Sequence, residues 1–434
     1  MTPVQAQSLP LILAGRDVLA QAQTGSGKTA AFALGLLAKV DVAAYYIQGV
    51  VMCPTRELAE QVAEEIRRLA RSQANLKVLT LCGGVPARAQ ALSLQHGAHI
   101  IVGTPGRVLD HLNQERLDLT RVHTLVLDEA DRMLDMGFQD ELDKIVAAIP
   151  ATRQNLMFSA TFPAEIASLA KKLMQSPEHI VVAEVRVDDT IEQVFYQVSS
   201  KQREDAIMQL LLERQPKNAI LFCNTKRDTH ELYSVLRNNQ FSVMALHGDL
   251  EQKDREQTLM LFNNQSVRIL VATDVAARGL DIKALDLVIN VNLAHDADTH
   301  IHRIGRTGRA GDKGLAITLV TDADAYKFSL LQDTLKQHVA LQALPVSSGQ
   351  PAQPQAAEMA TIQILGGKKD KLRPGDIVGA LTKDNRIDFE KVGKINVQSQ
   401  VSYVAVRRNA AKQALAVLTN DKLKGRRFRA RLLT

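Results

Sequence analysis

Two tandem α/β domains with parallel sheets, followed by a small α+β domain, are the fold class that this 434-residue sequence predicts. Three observations carry the prediction. Short runs rich in Val, Ile and Leu fall into two series, at 50–53, 99–103, 123–128 and 155–160, then at 218–223, 242–246, 267–272 and 286–291. Continuous apolar strands separated by helical patterns indicate a parallel sheet covered on both faces. A short polar stretch at 183–190 separates the two series. A third feature is the stretch 343–360, which holds three prolines with Ser, Gln and Ala and carries no charge before Glu358. That composition builds no core and reads as an extended linker. The expected domains are therefore 1–183, 191–342 and 361–434, with 343–360 as the linker.

Composition narrows the function classes. Hydrophobic residues make up 46% and charged residues 23%, a globular balance that excludes wholesale disorder. No apolar run approaches the roughly 18 residues of a membrane span, and the N-terminal stretch lacks a basic n-region. Cys53, Cys82 and Cys223 are scattered and form no metal-ligand spacing, so a reducing cytoplasm is the expected location. The net charge of +6 conceals an asymmetry. Residues 362–434 hold 17 Lys and Arg against 6 Asp and Glu, a net of +11, which leaves −5 for the rest. A positive field so concentrated points to a polyanion, with nucleic acid ahead of membrane.

The first strand leads into residues 17–29, DVLAQAQTGSGKT, and then into a helical run. Strand, glycine-containing loop and helix in that order form a phosphate-binding loop. Gly25 and Gly27 let backbone N–H groups turn toward a phosphate, and Lys28 supplies a point charge. The Thr29 hydroxyl can ligate Mg²⁺, and the following helix aims its positive end at the anion. Ala22 stands where the strict motif has glycine. Ala22, Thr24, Gly25, Ser26, Gly27, Lys28 and Thr29 are the expected nucleotide contacts.

A phosphate loop needs a carboxylate at the end of a neighbouring strand, and the stretch 123–131, HTLVLDEAD, supplies one. Asp128 closes an apolar strand, where ligands bind in open parallel sheets. It is assigned to Mg²⁺ through a water, and Glu129 is the candidate base for the attacking water. The alternative is that Asp128, Glu129 and Asp131 cap the next helix, since acidic residues favour helix N-termini.

With Asp128-Glu129-Ala130-Asp131 beside the phosphate loop, the chain resembles the DEAD-box family of ATP-dependent RNA helicases, and the likeness runs in family order through about 340 residues. Thr2-Pro3-Val4-Gln5 resembles the end of the adenine-sensing Q motif. Pro54-Thr55-Arg56-Glu57-Leu58-Ala59, Gly83-Gly84 and Thr104-Pro105-Gly106-Arg107 resemble the RNA-contacting motifs of the first domain. Ser159-Ala160-Thr161 resembles the motif that couples hydrolysis to unwinding. In the second domain, Leu221-Phe222-Cys223-Asn224, and Gln252 with Arg255, match weaker motifs. Residues 272–281, ATDVAARGLD, and 302–309, HRIGRTGR, match strong ones.

The resemblance implies two RecA-like domains, ATP and Mg²⁺ as cofactors, and RNA as the partner. It implies that Gln5 bonds adenine, and that Gly279 and Asp281 serve the nucleotide; Asp274 and Asp281 are expected at the ribose or at domain–domain contacts. Arg306 and Arg309 are implied as arginine fingers, and Asn224 and Thr273 as RNA contacts. The chemistry of Thr55, Arg56, Gly84, Thr104 and Arg107 fits the resemblance: hydroxyls, guanidinium groups and free amides hold phosphate oxygens without reading bases. The family's aromatic residue upstream of the glutamine lies outside this chain, which starts at Met1, so an N-terminus cut short is expected.

The last 73 residues resemble the RNA-binding tail of the bacterial DEAD-box subgroup directed to large-subunit ribosomal RNA. That implies an RNA-recognition-motif (RRM) fold binding a 23S rRNA hairpin, and a role on precursors of the 50S particle. The aromatic signature of such folds is partial, with Tyr403 in SYVAV. Specificity is then expected from basic side chains and hairpin shape: Lys368, Lys369, Arg373, Lys394, Arg407, Lys424, Arg426, Arg427 and Arg429. The reading is an RNA-dependent ATPase that unwinds ribosomal RNA locally, as a monomer and without a membrane. Two rivals are a non-catalytic, nucleotide-gated RNA clamp and a DNA translocase. Glu129, Arg306 and Arg309 argue against the clamp. Comparing ATPase stimulation by RNA and by DNA separates the translocase.

Overall fold

The computed structural model describes residues 1–22, 26–182, 191–277, 285–308, 313–335, 339–345 and 353–433. The first domain is built on a seven-stranded parallel sheet: β1 (Val18–Gln21), β2 (Gly49–Met52), β3 (Val78–Leu81), β4 (Ile100–Gly103), β5 (Thr124–Asp128), β6 (Gln154–Ser159) and β7 (Glu178–Val181). The strand order is β3-β4-β2-β5-β6-β1-β7. Every residue of β2, β4, β5 and β6 is buried, as both faces of a doubly covered sheet require. The crossover helices split the core into two clusters, one around Phe32, Val51 and Ile66, the other around Met52, Leu125 and Ile145. This order sets β5, β6 and β1 side by side, so three adjacent strand ends open toward one crevice.

The second domain repeats the design with β8 (Ile191–Gln197), β9 (Ala219–Cys223), β10 (Val243–Leu246), β11 (Ile269–Thr273), β12 (Leu287–Asn290), β13 (Gly314–Val320) and β14 (Leu341–Ala343). All pairings are parallel, in the order β10-β11-β9-β12-β13-β8-β14. The stretch 183–190, expected as the break between the two domains, lies outside the described residues.

His300, on helix Ala297–Ile304, is buried in this second core. Its ring stacks on Phe195 with centroids 5.8 Å apart, and Nε2–H donates to Gln193 Oε1 at 3.0 Å. Burial, helped by the nearby Arg303 charge, pushes its pKa down to about 4. The unfolded chain protonates this imidazole near pH 6.5 and the folded one does not. Stability is therefore complete above pH 6.5 and is lost as pH falls toward 4, by about 3 kcal/mol at the limit. His300→Gln removes the titration, so hydrogen-exchange protection in β8 is expected to fall less steeply between pH 6.5 and 4.5 than in the parent. Parallel slopes in the two proteins would contradict the assignment.

The C-terminal domain is a four-stranded antiparallel sheet: β15 (Met359–Ile364), β16 (Val392–Val397), β17 (Ser402–Arg407) and β18 (Ala430–Leu433), in the order β16-β17-β15-β18. Strand residues alternate between the two sides. Ile362, Ile364, Val404 and Val406 meet helices Pro374–Thr382 and Ala411–Asn420 in a compact core. Thr361, Gln363, Tyr403 and Ala405 fall on the opposite side. The stretch read as linker is shorter at both ends, because β14 runs to Ala343 and β15 begins at Met359.

Candidate functional site

The crevice at the ends of β1, β5 and β6 collects the first domain's candidate residues. Thr24 and Gly25 lie outside the described residues. Ala22 is buried and accepts the chain from β1, its N–H bonded to Ser159 O at 2.9 Å. Ser26 and Gly27 follow, and Gly27 caps helix Lys28–Lys39 with φ +91°, a left-handed conformation suited to glycine. A Cβ there would stand 2.6 Å from Gln5 Nε2, because Gln5 reaches over to donate to Gly27 O at 3.1 Å. The Q-motif glutamine thus touches the phosphate loop itself, a contact between residues 22 positions apart. Lys28 and Thr29 open the helix, whose N-terminus faces the crevice.

Lys28 Nζ lies 3.7 Å from Asp128 Oδ1 and 3.5 Å from Ala22 O. Asp128 is fully buried at the end of β5. Burial pushes its carboxyl up to about 6; Lys28 pulls the other way and Glu129 adds to the rise. Oδ1 accepts the Glu129 N–H at 3.0 Å, but Oδ2 is buried without a hydrogen-bond partner. An orphaned carboxylate oxygen beside a phosphate loop suits a divalent cation, since Mg²⁺ sites of this kind take one or two carboxylates plus phosphate oxygens. The residues present, Thr29 and Asp128, fit that requirement.

Glu129 has φ +52°, a left-handed backbone for a side chain that rarely adopts it, and it is buried. Its carboxylate does not cap the helix Ala130–Asp135; it meets Arg132 Nη1 at 3.1 Å. The helix-cap alternative therefore fails for this residue. Asp131 has a role that sequence reasoning missed. Its Oδ2 accepts the N–H groups of Ala160 and Thr161 at 3.1 and 3.0 Å and the Thr161 hydroxyl at 3.0 Å. The end of β5 is thereby tied to the Ser159-Ala160-Thr161 segment at the end of β6. Ser159 Oγ, in contrast, is buried without a partner.

Along the same sheet edge, Thr55 caps helix Arg56–Leu69 by accepting from the Leu58 N–H. Thr104 holds the corresponding position before helix Pro105–Asn113. Arg107 Nη1 donates to Val85 O and Gln90 Oε1, both at 2.8 Å, and so orders the Gly83-Gly84 loop. Gly84 has φ +72°, and a Cβ there would collide with the Arg56 guanidinium.

In the second domain, Arg303 organises what the sequence distributes. It is buried, pairs with both oxygens of Asp274 at 2.6 and 2.7 Å, and donates to Asn224 Oδ1 at 2.7 Å and Asn292 O at 2.8 Å. A buried cation needs such partners. Asp274, expected at the ribose or a domain contact, is the counterion of Arg303. Asn224 lies in the same network: its Nδ2–H donates to Leu293 O at 3.0 Å and its Oδ1 accepts from Arg303. Thr273 ends β11, and Arg306 is buried just beyond helix Ala297–Ile304. Gly279, Asp281 and Arg309 lie outside the described residues.

In the C-terminal domain, Tyr403 is buried and its hydroxyl accepts from Gln363 Nε2 at 3.1 Å, so it offers no stacking face to RNA. Arg407 pairs with Glu358 at 2.6 Å; Lys424 donates to Lys371 O at 2.8 Å and lies 3.4 Å from Asp376. Lys368, Lys369, Arg373, Lys394, Arg426, Arg427 and Arg429 are exposed.

Family comparison decides what these parts belong to. A DEAD/DEAH box helicase family matches residues 2–169, the helicase conserved C-terminal domain matches 202–311, and the DbpA RNA binding domain matches 361–432. The chain is 51% identical over 433 residues to the ATP-dependent RNA helicase DbpA of Escherichia coli, covering 100% of this chain and 94% of that protein. It belongs to the DEAD-box RNA helicases. The helicase is also 44% identical over 337 residues to CshA of Bacillus cereus, which is 77% of this chain and 64% of that one. Among solved structures it resembles Saccharomyces cerevisiae Dbp5 bound to RNA and ADP BeF3, with a TM-score of 0.71, 32% identity, and coverage of 79% of this chain and 90% of that one. Use of ATP, helicase activity and an RNA-binding C-terminal domain follow from membership. No described helix is long and apolar enough to cross a membrane. The three cysteines are buried, and burial pushes the thiols of Cys82 and Cys223 up to about 12.

Proposed function

We propose that this helicase acts in the cytoplasm as a monomer, hydrolysing Mg²⁺–ATP to unwind ribosomal RNA locally during large-subunit (50S) assembly, and that its C-terminal domain directs it to a 23S rRNA hairpin. The observation that carries this reading is the exposed Arg426, Arg427 and Arg429 turn, on a segment with net charge +11 that matches the DbpA RNA binding domain. In this scheme 1–183 and 191–342 are the catalytic domains, 343–360 the connection and 361–434 the targeting domain. Lys28 neutralises phosphate charge, and Thr29 and Asp128 hold Mg²⁺, which supplies charge neutralisation on the phosphates. Glu129 orients the attacking water and accepts its proton, while Arg132 keeps that carboxylate in place. Asp131 passes any shift at the end of β5 to Ser159-Ala160-Thr161, and Thr55, Arg56, Gly84, Thr104, Arg107, Asn224 and Thr273 hold the RNA backbone. Arg306 and Arg309 complete the γ-phosphate site.

Neutralising Arg426, Arg427 and Arg429 together tests the targeting role. Lys424 is left out because it has partners within its own domain. RNA-stimulated ATPase is read with 23S hairpin RNA and with unrelated RNA across salt concentrations. The variant is expected to lose its preference for the hairpin, and its log–log salt slope to flatten by about 2–3, near one unit per lost phosphate contact. A preference that survives would move specificity into the catalytic domains.

A further inference from the structure

RRM-like sheets present an open face on which bases stack. In this protein that face is occupied from within the chain. Thr361, at the middle of β15, is completely buried, and Gln363 and Tyr403 beside it are nearly so. Asn264 Nδ2–H, from the second helicase domain, donates to Thr361 Oγ1 at 3.1 Å, and the hydroxyls of Ser266 and Thr361 share a 2.7 Å hydrogen bond. The Met359 N–H donates to Gln265 O at 3.3 Å, and Asn396 Nδ2 sits 3.0 Å from Met260 Sδ. All of these partners lie on or just after helix Gln252–Asn263.

A second tie comes from Arg268, one residue before β11. Its guanidinium donates to Pro216 O through Nη2 at 2.6 Å and through Nε at 3.1 Å, and to Gln215 O at 2.9 Å. These carbonyls follow the C-terminus of helix Arg203–Arg214, where a cation is favoured. The same guanidinium donates through Nη1 to Gln355 Oε1 at 2.8 Å and to Ala356 O at 3.3 Å, and Gln355 Nε2 bonds Gln215 Oε1 in return. The end of the connecting segment is thus fastened to the domain it leaves.

We propose that the open face of the C-terminal sheet is a docking surface for the second helicase domain and not a base-stacking platform. Thr361 with Asn264 and Ser266 forms a buried polar latch, and Arg268 is the positioning residue that fastens the connection. RNA held by the basic turn 424–429 is then presented at a fixed distance and angle, not at the end of a loose tether. The Thr361 and Ser266 hydroxyls and the Asn264 Nδ2–H pair within this buried contact, Asn264 Oδ1 being left without a partner, and such directional pairs favour one relative arrangement of the two surfaces. A rigid mount raises the effective concentration of tethered RNA at the catalytic domains above what a flexible linker of the same length gives.

The test uses the full-length protein with spin labels on cysteines placed at the exposed positions Glu213 and Asp384. The distance distribution is expected to be narrow in the parent and in Thr361→Ser, which keeps the hydroxyl. It is expected to broaden in Thr361→Lys and in Asn264→Ala/Ser266→Ala, whose changes lie in different domains. A distribution already broad in the parent, or one that stays narrow in both disruptive variants, overturns the proposal. The ATPase arm rests on the proposed ribosomal RNA target. For RNA carrying the 23S hairpin and a single-stranded extension, KM is expected to rise roughly tenfold in the disruptive variants with kcat retained. Hairpin affinity should be unchanged, which also shows that the C-terminal domain is folded. If the parent itself shows no hairpin preference, the target assignment fails while the distance measurement still decides the latch.

Discussion

Glu129→Gln is expected to bind ATP and RNA as the parent does and to hydrolyse ATP about 10²–10⁴ times more slowly, the range for loss of a positioned general base. The geometry makes the substitution clean. Glu129 is buried, its carboxylate leaves the following helix uncapped, and one oxygen accepts from Arg132. The glutamine keeps the shape and can still accept from Arg132 through its carbonyl oxygen. What it lacks is the capacity to take a proton. Phosphate release, set against affinity for a fluorescent nucleotide, separates the two effects. Hydrolysis at the parental rate would reduce Glu129 to a partner of Arg132.

Arg306→Ala is expected to cost still more in turnover, about 10³–10⁵, the range for an arginine finger. ATP affinity should change little, because a charge that acts in the transition state contributes to rate more than to ground-state binding. Arg306 follows helix Ala297–Ile304 by two residues, and its carbonyl accepts the Leu285 N–H. Steady-state kinetics at saturating RNA reads the split. Weaker nucleotide binding with unchanged maximal turnover would rule out the finger and leave a binding role.

The parts of this molecule legible in the sequence are those whose physics is local. Buried parallel strands announce themselves as apolar runs, so β2, β4, β5 and β6 fall within a residue of their expected places. The phosphate loop and the acidic cluster are contiguous motifs, and the strand order brings them to one crevice. What stays hidden is long-range and polar. Asp131 meets residues 29 and 30 positions away, and nothing in its own neighbourhood signals that. Arg303 sits within a motif expected to face nucleotide, yet its charge is spent on Asp274 and Asn224, 29 and 79 positions back. Tyr403 resembles a stacking residue because an exposed and a buried aromatic read alike in sequence. The stretch before Met359 resembles an unattached linker because its composition cannot reveal that Arg268 grips Gln355 and Ala356.

That grip changes what counts as a transferable module. Cutting the chain in the proline-containing stretch and fusing residues 353–433 to another helicase would move the basic turn without its seat. The receiving protein would also need a threonine-compatible pair at the positions of Asn264 and Ser266, an arginine at that of Arg268, and the helix-end carbonyls of Gln215 and Pro216. A chimera lacking them inherits affinity for RNA and not its placement. The boundary drawn by composition and the boundary that a protein engineer should respect are therefore different lines.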